Sequence, residues 1–289
     1  MSNPCALPSL SLPPTEADLR ELPKLEERLR RKVGVCVSEY GLIEEGDRIL
    51  VGLSGGKDSW ACLDLLLSLQ KRAPVRFEIH GATLDPGFPG YNPDRIAEVC
   101  EELKVPHTIL SAPVDALVRK KPDITPCAIC SRLRRGVLYT HAKTHGFTKI
   151  ALGHHLDDLI ETLLINQFYE GRLSTMPLKL ISDDGANTVI RPLGTCEEED
   201  LRRFAWLKGY PLVPCGCPLC GASVLESSRA QIKALVAQLQ TTIPDLKYCL
   251  LRAMKNVKTT HLLDHALLAL PEPPQAPKRV RMRLQRENA

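Results

Sequence analysis

The sequence has few aromatic residues and no long apolar run, and each shortage excludes a kind of protein. Aromatic side chains make up 4% of the 289 residues, which argues against an extensive platform for stacking RNA bases. No apolar run approaches the roughly 18 residues that cross a bilayer. The first twenty residues also lack the basic start and continuous apolar core of a secretory signal. We therefore expect a globular protein of the cytoplasm with no membrane partner.

A general surplus of basic residues is also missing. The formal net charge is +4, but residues 277–289 hold five Lys or Arg residues and one Glu, which accounts for the whole surplus. Residues 1–276 balance to zero, so RNA binding would have to depend on local arginines and on this tail. Four prolines in residues 271–277 forbid regular structure, and we expect residues 271–289 to form a proline-rich linker and a disordered basic tail.

What the sequence does contain is an alternation of strand and helix patterns from Asp47 onward. Short β-branched apolar runs, beginning with 47–53, alternate with amphipathic stretches of ten to fifteen residues. This alternation predicts an α/β fold with a parallel sheet covered by helices on both faces. We expect a lead-in and helix over 1–45, the main domain with both cysteine clusters over 46–225, and C-terminal helices over 226–270. Between 171 and 200 we expect one strand, at 187–193, before a helix that starts near Glu197.

Residues 50–60 read LVGLSGGKDSW and predict a phosphate-binding turn between a strand and a helix. Glycines let backbone N–H groups face an anion, the helix start adds partial positive charge, and Lys57 adds a full charge. A Walker loop would need four residues between its glycines and a hydroxyl directly after the lysine, where this chain has Asp58. Transfer of a γ-phosphate is therefore disfavoured.

Eleven cysteines are many for a chain in a reducing compartment, where disulfides are not expected. Five of them form two clusters and offer more ligands than one tetrahedral zinc can use. These are Cys127, Cys130, Cys215, Cys217 and Cys220. Their spacing leaves zinc, an iron–sulfur cluster and thiol redox chemistry open. The other six have apolar neighbours and are expected in the core: Cys5, Cys36, Cys62, Cys100, Cys196 and Cys249.

Further polar residues have two interpretations each. Asp157 and Asp158 either cap a helix or bind Mg²⁺ and move protons. Arg132, Arg134 and Arg135 directly follow the first cysteine cluster, and they either form a solvated helix face or clamp RNA phosphates.

The turn from Ser54 to Ser59 resembles the signature of the PP-loop ATP pyrophosphatases. In combination with CAICSRLRRG, LGHHLDD, RPL and the second cysteine cluster, the chain is similar to the tRNA 2-thiocytidine synthetase family. The resemblance implies a Rossmann-like sheet of the adenine nucleotide alpha hydrolase kind, with ATP held by residues 54–59. It also implies nucleotide contacts from Ala82, Asp85, Gly153 and His154, and catalytic roles for Lys57, Asp58, Asp157 and Asp158.

The same resemblance implies a [4Fe–4S] cluster and ATP with Mg²⁺ as cofactors, and tRNA as the partner. Cys127, Cys130 and Cys217 are the implied cluster ligands. The second cluster has two residues more than the family pattern, so that Cys215 or Cys220 could replace or add to Cys217. Arg132, Arg134 and Arg135 would contact the RNA.

The implied reaction adenylates the C2 oxygen of a cytidine, at tRNA position 32, and replaces that oxygen with sulfur to give 2-thiocytidine. Sulfide or the persulfide of a cysteine desulfurase would supply the sulfur, and the assembly would be a homodimer. The alternatives are another PP-loop enzyme, such as a different tRNA thiolase or a lysidine-type amino-acid transferase, and a zinc-bearing nucleotide- or RNA-binding module without turnover.

Overall fold

A computed structural model describes residues 13–88, 90–114, 126–214, 217 and 228–267. The chain divides into two compact units, residues 1–247 and 248–289. Among the described residues, no helix has the length and apolar character needed to cross a membrane. The expected domain boundaries near residues 45, 225 and 270 stay predictions.

The elements alternate as the sequence predicts. The strands are β1 (Asp47–Gly52), β2 (Phe77–Asp85), β3 (His107–Ser111), β4 (Lys149–Ala151), β5 (Lys179–Ile181) and β6 (Thr188–Ile190). The α-helices are α1 (Glu16–Leu19), α2 (Leu22–Glu39), α3 (Lys57–Gln70), α4 (Asp94–Glu102), α5 (Pro126–Thr144), α6 (Leu156–Tyr169), α7 (Glu198–Lys208), α8 (Ser228–Gln240) and α9 (Leu246–Lys255). A short 3₁₀ helix, Thr259–His261, lies in the second unit.

The sheet confirms the predicted fold class and adds one strand. Its order is β3-β2-β1-β4-β6-β5, and every neighbouring pair is parallel except β5 with β6. The expectation of a single strand between 171 and 200 was therefore incomplete. The missed strand β5 has only three residues, half-exposed or exposed at the sheet edge, so it carries no periodic apolar pattern.

The single helix expected within residues 1–45 is interrupted. The chain forms α1 and α2 with a break at residues 20–21, and Pro23 lies in the first turn of α2, where its missing N–H costs nothing. The apolar face of α2 buries Leu25, Leu29, Val33 and Cys36 in the core.

The core lies between the sheet and its helices. Ile49, Leu50 and Val51 of β1 are completely buried. Trp60 of α3 stacks on Tyr210 with ring centroids 5.3 Å apart, and its indole N–H donates to the Pro211 carbonyl at 2.9 Å. This contact fixes the start of α3, and with it the predicted phosphate turn, against the segment that follows α7.

Of the six cysteines expected in the core, four are buried: Cys36, Cys62, Cys100 and Cys196. Burial raises the pKa of the Cys62 thiol to about 12, so it stays protonated and unreactive. The expectation was wrong for Cys249, which is exposed, because α9 buries none of its residues. Cys5 lies outside the described residues.

Candidate functional site

The predicted phosphate turn joins β1 to α3 at the carboxyl edge of the sheet. Gly55 has a φ of +76°, which glycine adopts without strain. A methyl group on Gly55 would also lie 2.6 Å from Val213 Cβ. Ser59 Oγ donates to the Gly56 carbonyl at 2.8 Å, and Gly56 is the N-cap of α3. Among the described residues no side chain caps the start of α3, so its first N–H groups are left for an anion.

Lys57 begins α3, and its side chain is 11% exposed. Its Nζ lies 2.8 Å from Asp58 Oδ2 and 3.2 Å from Glu198 Oε1. Burial lowers the pKa of Lys57, but the two carboxylates outweigh this effect and raise the pKa above its ordinary value. The ammonium group is therefore charged at every physiological pH.

The residues that follow β4 pack beside the phosphate turn. Gly153 lies so close to α3 that a methyl group there would be 2.7 Å from the Asp58 carbonyl oxygen. Burial lowers the pKa of His154 to about 4, although Asp158 partly opposes this shift. His154 is therefore neutral at pH 7, and its buried Nδ1 has no hydrogen-bond partner among the described residues.

A cavity of about 600 Å³ opens at the carboxyl ends of β1, β2 and β4, around the point where the strand order reverses and parallel sheets bind ligands. Several residues predicted for the ATP site and for catalysis line it: Ser54, Gly56, Asp58, Ser59, Ala82, Gly153, His154 and Asp158. Gly55, Lys57, Asp85 and Asp157 lie beside this cavity without lining it. The Asp85 carboxylate instead accepts the Gly87 N–H at 2.8 Å.

The two aspartates after His155 have different surroundings. Asp157 Oδ2 accepts the Glu198 N–H at the start of α7 at 2.7 Å, and Asp157 Oδ1 lies 2.6 Å from Lys247 Nζ. Asp158 Oδ2 accepts the His155 N–H at 3.1 Å and so caps its own helix, α6. Asp157 thus connects α6 to α7. Asp158 caps α6 and also lines the cavity.

Two of the clustered cysteines line the same cavity. Cys130 lies in the first turns of α5, and Cys217 follows 87 residues later. Both pack against one apolar cluster that contains Leu84, Phe88 and Ile129. Two sulfur ligands of a cluster can therefore come from distant parts of the chain. Cys127 lies in the first turn of α5, but its side chain, like all of Cys215 and Cys220, lies outside the described residues.

The three predicted RNA-binding arginines separate on the structure. Arg134 and Arg135 line the cavity, and Arg134 Nη2 donates to Cys130 Sγ at 3.7 Å. Arg132 instead borders a second, shallower groove on the other side of α5. Of the three arginines, Arg134 is the one that contacts Cys130 in the described part of the chain.

Sequence reasoning missed a set of charged residues that surround the phosphate turn. Glu198 of α7 binds Lys57 and also Lys233 of α8, the latter at 2.6 Å. Arg229 of α8 contacts both Asp158, at 2.8 Å, and Glu161, at 3.0 Å. In the sequence, the acidic residues at the start of α7 indicate only the beginning of a helix, not a contact with Lys57. The spacing of the α8 residues likewise gives no sign that they contact residues 57–161.

The comparisons with known proteins agree with this architecture. The PP-loop domain family matches residues 25–212. The chain is 47% identical over 245 residues to the tRNA-cytidine(32) 2-sulfurtransferase of Shewanella sp. (strain W3-18-1), covering 84% of this chain and 78% of the relative. It is 46% identical over 252 residues to the enzyme of the same name from Syntrophotalea carbinolica, covering 85% of this chain and 96% of that protein.

Among solved structures, the U34-tRNA thiolase NcsA from Methanococcus maripaludis with its [4Fe–4S] cluster has the same fold. The TM-score is 0.66 at 22% sequence identity, and the match covers 84% of each chain. The match over residues 25–212 and the identity across most of two relatives are together decisive for the family. The chain belongs to the PP-loop family and, within it, to the tRNA-cytidine(32) 2-sulfurtransferases.

Proposed function

We propose that this protein is an ATP-dependent sulfurtransferase that converts the cytidine at position 32 of tRNA to 2-thiocytidine. One observation carries the proposal beyond the family name: the phosphate turn and the two cysteines Cys130 and Cys217 line the same cavity. An activated substrate and a sulfur source can therefore meet without leaving the site.

The chemistry requires the C2 oxygen of cytosine to become a leaving group. That oxygen bonds to the α-phosphorus of ATP, the bond between the α-phosphorus and the β-bridging oxygen breaks, and pyrophosphate leaves. Sulfur then bonds to C2, and AMP leaves with the former C2 oxygen. The residues of this chain have to bind the phosphates, orient the base and exclude water.

The phosphate turn performs the first of these tasks. The N–H groups at the start of α3 stabilise charge that develops on the phosphates. Lys57 is held 2.8 Å from Asp58 and 3.2 Å from Glu198, and it stabilises the leaving pyrophosphate when it turns toward the ligand. Asp58 lines the cavity and would hold the Mg²⁺ that accompanies ATP.

His154 and Asp158 serve the nucleotide and the base. The pKa of His154 is about 4 because the imidazole is buried, so it offers a neutral hydrogen-bonding nitrogen to the adenosine or to the cytosine. Asp158 lines the cavity at the start of α6 and lies 2.8 Å from Arg229 Nη1. Asp157 is a positioning residue that keeps α7, and hence Glu198, in place.

The donor set fits an iron–sulfur cluster, because thiolates are its preferred ligands and two thiols line one cavity. Cys127, Cys130 and Cys217 would hold the cluster, and the cluster would supply the sulfur that replaces the oxygen. Arg134 and Arg135 on the same wall bind RNA phosphate beside the target base. The sulfur comes to the site as sulfide or as a cysteine desulfurase persulfide.

The test is an anaerobic assay with unmodified tRNA, ATP, Mg²⁺ and sulfide, followed by mass spectrometry of the digested nucleosides. The wild-type protein should contain about four irons per chain and should form 2-thiocytidine. Cys130→Ser should lose both iron and product. Cys249→Ser, at an exposed cysteine, should keep both and serves as the matched control. A protein that contains iron but forms no 2-thiocytidine refutes the substrate assignment, and a colourless zinc protein refutes the cluster.

A further inference from the structure

Helix α5 is a basic element of a body (residues 1–276) whose formal charges sum to zero. No Asp or Glu occurs between Asp123 and Asp157. Within that interval α5 carries four Arg or Lys residues and His141. Among the described residues, the contact of Lys143 with Asp184 at 3.8 Å is the only ion pair that a lysine or arginine of α5 makes, and both of its side chains are more than half exposed. The described part of the chain thus leaves most of the positive charge of α5 without an ion-pair partner.

Two faces of α5 border two different spaces. One face, with Cys130, Arg134 and Leu138, lines the cavity of the candidate active site. The opposite face borders a groove of about 480 Å³. We call this second surface the outer face of α5, formed by two rows at four-residue spacing: Arg132, Gly136, Thr140 and Thr144, and Leu133, Val137, His141 and His145. The first row runs for about 18 Å along the helix.

Gly136 lies in the middle of the outer face, and nothing within the described part of the protein requires a glycine there. It is in the interior of α5, where glycine costs about 0.5–1 kcal/mol relative to alanine. Its φ is not positive, and a methyl group built on it meets no atom within 4 Å. Its missing side chain leaves the helix backbone open to close approach from outside.

We propose that the outer face of α5 is a docking surface for the sugar–phosphate backbone of tRNA, with Gly136 as the point of closest approach. This inference rests on the proposed function. Arg132 and the hydroxyl of Thr144 offer donors for phosphate and ribose oxygens, while Gly136 admits the backbone between them. The Thr140 hydroxyl donates to the Gly136 carbonyl at 3.0 Å, and His145 Nδ1 lies 3.0 Å from the His141 carbonyl oxygen. Because the other face of the same helix carries Cys130 and Arg134, an RNA strand bound here would pass beside the entrance to the active site.

Acidic protein partners and a second copy of the chain are less suited to this surface. A protein interface usually has an aromatic or aliphatic anchor at its centre, whereas the centre here is a glycine. The occupant that combines regular negative charge with a narrow backbone is a nucleic acid strand.

Two glycine variants give a matched test. Gly136→Ala and Gly34→Ala both replace a glycine inside a helix, and the added methyl of Gly34→Ala makes only an ordinary 3.7 Å contact with Leu69. Both variants should raise the thermal midpoint, because alanine favours the helix. Only Gly136→Ala should weaken the binding of unmodified tRNA, by about fivefold or more, as expected when a methyl group is forced into a packed interface. A variant that is more stable but binds tRNA less well cannot be explained by damage to the fold.

Two variants that each remove one positive charge complete the test. Arg132→Gln should weaken tRNA binding and reduce the slope of log affinity against log salt by about 1. Lys71→Gln removes one exposed charge at the far end of α3, and it should leave both unchanged. Binding is measured by fluorescence polarisation of labelled tRNA at several salt concentrations.

The outcomes separate the two claims. If wild type binds tRNA and forms 2-thiocytidine, but Gly136→Ala and Arg132→Gln bind as wild type does, the docking surface is refuted and the proposed function stands. If the two variants change only self-association or the capture of a protein, the surface belongs to another partner and the inference is also refuted. If the wild-type protein does not bind tRNA, the proposed function and the inference both fail.

Discussion

The close approach of Gly153 to α3 gives a prediction that tests the architecture of the phosphate turn. In Gly153→Ala the new Cβ would lie 2.7 Å from the Asp58 carbonyl oxygen, 2.8 Å from the Asp58 carbonyl carbon and 3.1 Å from the Ser59 nitrogen. All three atoms belong to the backbone, so no side chain can rotate away. Ordinary contact begins at 3.4 Å, and the end of β4 and the start of α3 would have to separate by about 0.7 Å.

Two consequences follow from this separation. Overpacking of this kind costs about 1–3 kcal/mol of folding free energy. The separation also moves the first N–H groups of α3 relative to the wall formed by residues 152–154. Loss of one hydrogen bond to a charged phosphate costs about 1.5–3 kcal/mol, so the affinity for Mg²⁺·ATP should fall about tenfold or more.

Urea denaturation followed by circular dichroism measures the first effect, and isothermal titration calorimetry with a non-hydrolysable ATP analogue measures the second. Gly34→Ala is again the control, because its methyl group has room. If Gly153→Ala unfolds at the wild-type urea concentration and binds the analogue with wild-type affinity, the close contact between β4 and α3 does not shape the nucleotide site, and the reasoning is wrong.

Three further predictions concern the titratable groups around the turn. Asp157→Asn should destabilise the protein by about 1–3 kcal/mol in urea denaturation, because its carboxylate accepts the Glu198 N–H and pairs with Lys247; wild-type stability would contradict this positioning role. The pKa of His154 is about 4 in the folded protein because of burial, whereas the unfolded side chain titrates near 6.5. As the pH falls, the unfolded state therefore takes up the proton first, and the free energy of unfolding decreases between about pH 6.5 and pH 4. In His154→Gln this decrease should be smaller than in the wild type. An NMR titration midpoint of His154 near 6.5 would refute this prediction. Lys57→Met should slow pyrophosphate release by about 10²–10³-fold while the protein still binds tRNA, and a rate within a few fold of wild type would exclude the proposed role of the ammonium group.

The main fold was predictable because each of its elements carries a local signal. Residues 47–53 form a buried strand followed by glycines and an apolar helix, and these patterns predict β1, the turn and α3 without any knowledge of the rest of the chain. The exposed edge strand β5 was missed because three residues at an edge have no buried face to mark them. The exposure of Cys249 was missed for the opposite reason: its neighbours are apolar, but the helix that carries them is not packed in a core.

The site was predictable where it depends on one continuous segment. Ser54, Gly56, Asp58 and Ser59 line the cavity as a group because the turn that holds them is local. The distinction between Asp157 and Asp158 was not predictable, since it depends on which helix packs against α6. Adjacent residues on a helix point about 100° apart, so one carboxylate faces α7 and Lys247 while the other faces the cavity.

The surroundings of the phosphate turn explain why its nucleotide should be the magnesium complex of ATP. Asp58, Asp158 and Glu198 all lie at or beside the turn, and a free ATP tetra-anion would meet their negative charge. Arg229 and Lys233 of α8 offset part of this charge at 2.8 Å and 2.6 Å. Glu198 nevertheless stays ionised, because Lys233 and Lys57 outweigh the effect of burial and lower its pKa to about 2. Lys57, Arg229 and Lys233 thus match Asp58, Asp158 and Glu198 one for one, and this set leaves no surplus cation for the phosphates. We therefore expect a divalent cation to accompany the nucleotide. Because α8 supplies two of the three cations, the charge balance around the turn depends on a helix that begins about 170 residues after it.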